Sequence, residues 1–159
     1  MNRVSIAGHP VHPMLVTLPI GLWVFSLVCD LVFASTGDAQ WHTTADLTLG
    51  GGIVGALLAA VPGLIDLLAL HEGTERRIGV LHMSLNLAIV AVQAINFWLR
   101  TMPDYNPGLT LGLSVVAVVA LVVSGWLGGQ LVHVLGVTQP HRDASSASAV
   151  SGDHLHPRS

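Results

Sequence analysis

Four apolar stretches, each long enough to cross a bilayer, constrain this chain more than any other feature. A helix needs about 20 apolar residues to span the hydrocarbon core. The stretches run from Met14 to Ser35, Leu47 to Leu70, Ile78 to Leu99 and Leu109 to Leu135. Thr36-Gly37-Asp38 opens a polar loop between the first two; Met102-Pro103-Asp104 and Asn106-Pro107-Gly108 make a turn between the last two. Pro13 suits a first helical turn, where its missing N–H is not needed. Composition agrees: 52% of the 159 residues are hydrophobic and only 9% charged, against about 25% charged in soluble domains. The expected fold is all-α, a four-helix transmembrane bundle over residues 1–137 with a polar, disordered tail over 138–159. A cleaved leader is the competing reading of the first stretch, but its apolar region is too long and its lead-in too rich in proline.

Arginine placement sets the expected orientation. With the N-terminus inside, Arg3, Arg76, Arg77, Arg142 and Arg158 are cytoplasmic and only Arg100 faces outward, a positive-inside bias that puts both termini in the cytoplasm and the protein in the inner membrane. The net charge of -3 and the absence of any basic run exclude a nucleic-acid partner. Cys29 is the single cysteine and cannot form an internal disulfide. Close helix packing is expected from small residues four apart: Gly51 with Gly55 and Ala59 with Gly63 on the second helix, and Gly125 with Gly129, Gly128 between, on the fourth.

Ionisable groups inside a span point to function by default. Asp66 and His82 each lie about a turn inside the membrane from the same face, some 6 Å deep at ~1.5 Å per residue. Gly8-His9-Pro10-Val11-His12-Pro13 enters from that face, where His71 and His133 also end their helices; His42 alone lies opposite. The prolines stiffen the His9–His12 segment. Imidazole with carboxylate suits a divalent transition metal, with His9, His12, Asp66 and His82 as the ligand set. Paired imidazoles also suit a haem b iron, held by His82 with His12 or His9 while Asp66 and Asn86 orient the ligands. Along the third helix His82, Asn86, Gln93 and Arg100 recur at helical spacing beside Asn96; Asp30 is the natural partner for Arg100, Asn96 or Gln93, and these four outer groups are expected to join helices by hydrogen bonds. His71, His154 and His156 read as bystanders. No nucleophile elbow, phosphate loop or Cys-x-x-Cys pair occurs, so the chain is not expected to be an enzyme by itself.

The opening Gly8-His9-Pro10-Val11-His12-Pro13-Met14-Leu15-Val16, then Pro19-Ile20-Gly21-Leu22, resembles an uncharacterised bacterial membrane-protein family known only as a domain of unknown function (DUF2231). The likeness continues through Asp30, Gly63-Leu64-Ile65-Asp66, His82, Arg100 and Gly128-Gly129-Gln130-Leu131-Val132, covering Gly8 to Val137. Some members are fused to a Rieske iron–sulfur domain, which implies a link to electron transfer. This chain lacks Rieske ligands and would be the stand-alone form. At His133 the family usually carries an aromatic residue, so the resemblance does not extend a ligand role to His133. Three functions fit these features. The first is a redox-linked protein holding one haem or metal near the cytoplasmic face, with a redox partner protein and further copies of the chain as partners. The second is a structural or assembly subunit without chemistry; the third is a small proton-coupled transporter or channel subunit with the His82–Arg100 stripe as its path.

Overall fold

In a computed structural model, residues 5–6 and 9–134 are described; the C-terminal tail, with His141, His154 and His156, lies outside the described residues. A two-residue antiparallel ladder joins β1, Ser5–Ile6, to β2, His9–Pro10. Five α-helices follow. α1 is Val11–Leu15, α2 Thr17–Thr36, α3 Ala39–Leu68, α4 Thr74–Arg100 and α5 Pro107–Gly129; a π-helical turn, Gln130–Val134, ends the last.

α1 and α2 form one span in two pieces. Pro19 cannot donate to the Leu15 carbonyl, so the ladder is interrupted where they join. Gly37, at φ 71, closes α2 in the left-handed conformation that glycine adopts freely. Asp38 then caps α3, its carboxylate accepting from the Gln40 N–H at 2.9 Å. α3 therefore begins eight residues before the apolar stretch at Leu47, and the expected polar loop through Asp46 is helix. Thr43, Thr44 and Thr48 make this tolerable in lipid by donating their hydroxyls back to the Ala39, Gln40 and Thr44 carbonyls. Asn106 caps α5 by accepting from the Gly108 and Leu109 N–H groups, with Pro107 at the first helical position.

Four spans, Val11–Thr36, Ala39–Leu68, Thr74–Arg100 and Pro107–Val132, are long and apolar enough to cross a membrane. α2 packs most extensively on α3 and α4 on α5; α3 against α4 and α2 against α5 close the ring. The bundle is polar inside and apolar outside. Leu47, Leu68, Val122 and Trp126 are exposed, whereas Ser26, Asp30, Gln93, Asn96, Arg100, Ser114 and Ser124 are buried. Lipid is as apolar as leucine, so the polar groups gain most by meeting one another. At mid-depth Trp23, Leu49, Ile89 and Ala117 pack into one apolar layer. The Trp23 indole donates to the Leu49 carbonyl at 3.2 Å and lies against Gly52, where a side chain would collide with it.

Candidate functional site

The mid-depth layer divides the bundle interior into two polar compartments. Along α4, His82 and Asn86 lie on one side of Ile89, and Gln93, Asn96 and Arg100 on the other. The polar stripe of α4 thus falls into two groups, one on either side of the apolar layer.

The first compartment is a cavity of about 350 Å³ bounded by all four spans, with His12, Asp66, His82, Asn86 and Ser124 among apolar walls that include Trp23, Met83 and Leu121. His12 stands on α1. Its Nδ1 donates to the Ala59 carbonyl of α3 at 2.9 Å. Pro62, in the next turn, has no N–H for the Leu58 carbonyl, which loosens α3 at this level. Gly63 completes the seat: a Cβ there would lie 2.7 Å from two atoms of the His12 ring. His82 sits against α5 in the same manner. Its Nδ1 donates to the Ser124 carbonyl at 3.0 Å, and a Cβ on Gly128 would come within 3.2 Å of its ring. The two imidazoles are 6.5 Å apart between centroids and nearly perpendicular, at 87°.

These contacts fix the tautomers. A backbone carbonyl only accepts, so each Nδ1 carries a proton, and in the neutral ring each Nε2 is the nitrogen with the free lone pair. The Asn86 amide nitrogen lies 2.7 Å from the His82 carbonyl, 2.6 Å from Ser124 Oγ and 3.3 Å from His82 Nε2. An amide nitrogen has two protons. The two short contacts take them, and His82 Nε2 keeps its lone pair.

Asp66 and Pro10 line this cavity, and His9 precedes Pro10 on β2 with an exposed side chain. Among the described residues no three His, Cys, Asp or Glu side chains gather closely enough to hold one ion. Of the four residues expected from sequence to hold a metal, the described ring contacts bring His12 and His82 together. His133 falls on the π-helical turn, and His71 is exposed between α3 and α4.

The second compartment centres on Arg100, at the end of α4 where the helix dipole favours a cation. Its guanidinium donates to both oxygens of Asp30, at 2.8 and 2.6 Å, and to Asp46 at 3.0 Å. Its Nε donates to Asn96 Oδ1 at 3.2 Å, and Ser114 donates to Asp30 at 3.0 Å. Asp46 also pairs with His42, Nδ1 to Oδ2 at 3.3 Å, and the Tyr105 hydroxyl donates to His42 Nε2 at 2.7 Å. Gln93 Nε2 is the one buried side-chain polar atom without a hydrogen-bond partner among the described residues.

Sequence reasoning missed Ser124, Ser114, Asp46, His42 and Tyr105. The signals existed. Thr110, Ser114, Ala117, Leu121 and Ser124 recur every three or four residues along one face of α5, and His42 and Asp46 are one helical turn apart. The latter pairing is invisible while residues 38–46 are read as loop.

No curated protein and no solved structure matches the chain. A family model does, over residues 8–140, described as a predicted membrane protein, DUF2231. The match runs through His12, Asp30, Asp66, His82 and Arg100 and covers most of the 159 residues, so this multi-pass membrane protein belongs to the DUF2231 family.

Proposed function

We propose that the chain is a redox-linked membrane protein whose cavity holds one haem b through His12 and His82. The observation that carries the reading is the pair of anchored rings. Each donates Nδ1–H to a backbone carbonyl, the usual way in which a metal-ligating histidine is oriented and made more basic. A porphyrin brings four nitrogens and asks the protein for two axial ligands, whereas a bare divalent ion asks for about four protein groups. Among the described residues no third His, Cys, Asp or Glu joins the two histidines closely enough to share an ion, which favours haem over a bare metal. The volume of about 350 Å³ falls within the usual span for ligand pockets, about 300–1,000 Å³. A haem there would supply one-electron chemistry. The apolar walls would exclude water and help set its potential, Asn86 and Ser124 would hold the His82 ring, and a redox partner would dock at this end.

The apolar layer of Trp23, Leu49, Ile89 and Ala117 disfavours a continuous polar path, and with it the transporter reading. In this proposal the cavity end and both termini are cytoplasmic: Arg76 and Arg77 flank the cavity end, while Arg100 is drawn into the bundle. Reporter fusions after Ser159 and at Gly37 should read inside and outside; the reverse would overturn the orientation.

Titration of hemin into the purified protein in detergent tests the site. The expected result is saturation at one haem per chain, lost in His12→Ala and in His82→Ala and retained in His9→Ala and His71→Ala. Binding that ignores both ring deletions would overturn the assignment, leaving the histidines as a hydrogen-bonded seal that joins α1 to α3 and α4 to α5.

A further inference from the structure

The Tyr105 compartment has its own chemistry. Tyr105 is the only tyrosine in the chain. Its hydroxyl is 2.7 Å from His42 Nε2, inside the reach of about 2.6–3.2 Å expected of a working base. His42 Nδ1 is in turn oriented by Asp46 at 3.3 Å, and the Phe33 ring packs edge-on to the imidazole at 5.0 Å between centroids. A donor, a base and a carboxylate that fixes the base form the arrangement by which proteins move one proton in a defined direction. The surrounding charge favours that direction. Two carboxylates, Asp30 and Asp46, share the one guanidinium of Arg100, so the cluster carries one negative charge in excess and a proton arriving on His42 would neutralise it. Simple ionisation of the phenol is opposed: burial first, then Asp46, hold Tyr105 above the ordinary tyrosine range. Loss of an electron therefore needs the proton to leave at the same time, and His42 is placed to take it.

We propose that Tyr105 is a one-electron redox site with His42 as its proton acceptor. The oxidant, by class a high-potential one-electron metal centre reaching this end from the water phase, takes one electron from the phenol. The Oη–H bond breaks and an Nε2–H bond forms. The products are a neutral phenoxyl radical, an imidazolium held by Asp46, and the oxidant reduced by one electron. Return of one electron, with the proton, restores the phenol. This site stands apart from the haem reading, because the Trp23 layer separates the two compartments.

The test uses a photogenerated ruthenium(III) polypyridyl complex as oxidant, on the full chain in detergent, read by transient absorption and electron paramagnetic resonance. The wild type should give a neutral tyrosyl radical, absent in Tyr105→Phe, forming more slowly in D₂O than in H₂O. His42→Gln should slow its formation about a hundredfold, the scale of a lost general base, and respond to added imidazole with partial rescue. A wild type that yields no tyrosyl radical, or yields one without an isotope effect, would overturn the proposal whatever the variants do. So would an unchanged rate in folded His42→Gln. Helicity by circular dichroism establishes that the variants are folded.

Discussion

Adding one methyl group at Gly63 should unseat His12 while deleting no polar atom. An alanine Cβ there would sit 2.7 Å from His12 Cε1 and Nδ1, against about 3.5–4.0 Å for comfortable contact between heavy atoms. The ring must retreat by about 1 Å, which stretches its 2.9 Å bond to the Ala59 carbonyl beyond useful range. The lost bond costs about 0.5–1.5 kcal/mol and the overpacking about 1–3 kcal/mol. The better helix propensity of alanine returns up to about 1 kcal/mol. Gly63→Ala should therefore be destabilised by about 1–3 kcal/mol, the balance of those terms, and should bind hemin more weakly as its His12 Nε2 is displaced. Gly125→Ala is the matched control, since its Cβ would meet nothing within 4 Å. Thermal or denaturant unfolding in detergent, followed by circular dichroism, reads the first effect and the hemin titration the second. If Gly63→Ala matches Gly125→Ala in both assays, the described seat for His12 is wrong.

Three further outcomes follow from the Arg100 compartment. Arg100→Met leaves Asp30 buried without its cation and should cost about 3–5 kcal/mol of unfolding stability, with Arg100→Met/Asp30→Asn recovering a large part; no recovery would contradict the pairing. Gln93→Met removes the unpartnered Nε2 and only a 3.3 Å contact from Asn96, so its unfolding midpoint should match or exceed that of the parent; a loss comparable to that of Arg100→Met would contradict this. Tyr105 resists ionisation in the folded chain because of burial and then Asp46, so its stabilising term is complete below the unfolded value of about 10 and fades as pH rises through the higher folded value. An alkaline titration of stability should be flatter in Tyr105→Phe; identical profiles would show that the phenol is not shielded.

The bundle was legible because its cause is local. Twenty-residue apolar runs, a Gly-Asp stop and start at Gly37 and Asp38, and Asn106-Pro107 ahead of α5 each state a boundary in the residues themselves. The early start of α3 was not legible, since its polar first turns satisfy themselves through threonine hydroxyls that bond carbonyls one turn back. Candidate His82 was visible from its depth. Its seat was not, because it depends on which small residue of another helix faces it. Gly125 and Gly129, the pair picked out by spacing, face open space, while Gly128 between them receives the ring. Similarly, Gly63 reads as a packing residue until His12 is found against it. Asp30 and Arg100 are 70 positions apart, and only the closed ring of helices brings them together. Division of the polar stripe at Ile89 likewise needs three other helices to supply Trp23, Leu49 and Ala117.

What lies between His12 and His82 decides whether the protein carries a haem. The direct measurement is the absorption spectrum of the protein purified from its own membranes, taken oxidised and dithionite-reduced beside His82→Ala. The prediction is a Soret band with sharpened bands on reduction, one haem per chain by pyridine haemochrome, and loss of all three in His82→Ala. A featureless visible spectrum from folded protein expressed with ample haem, or a Soret band that His82→Ala leaves unchanged, would contradict it.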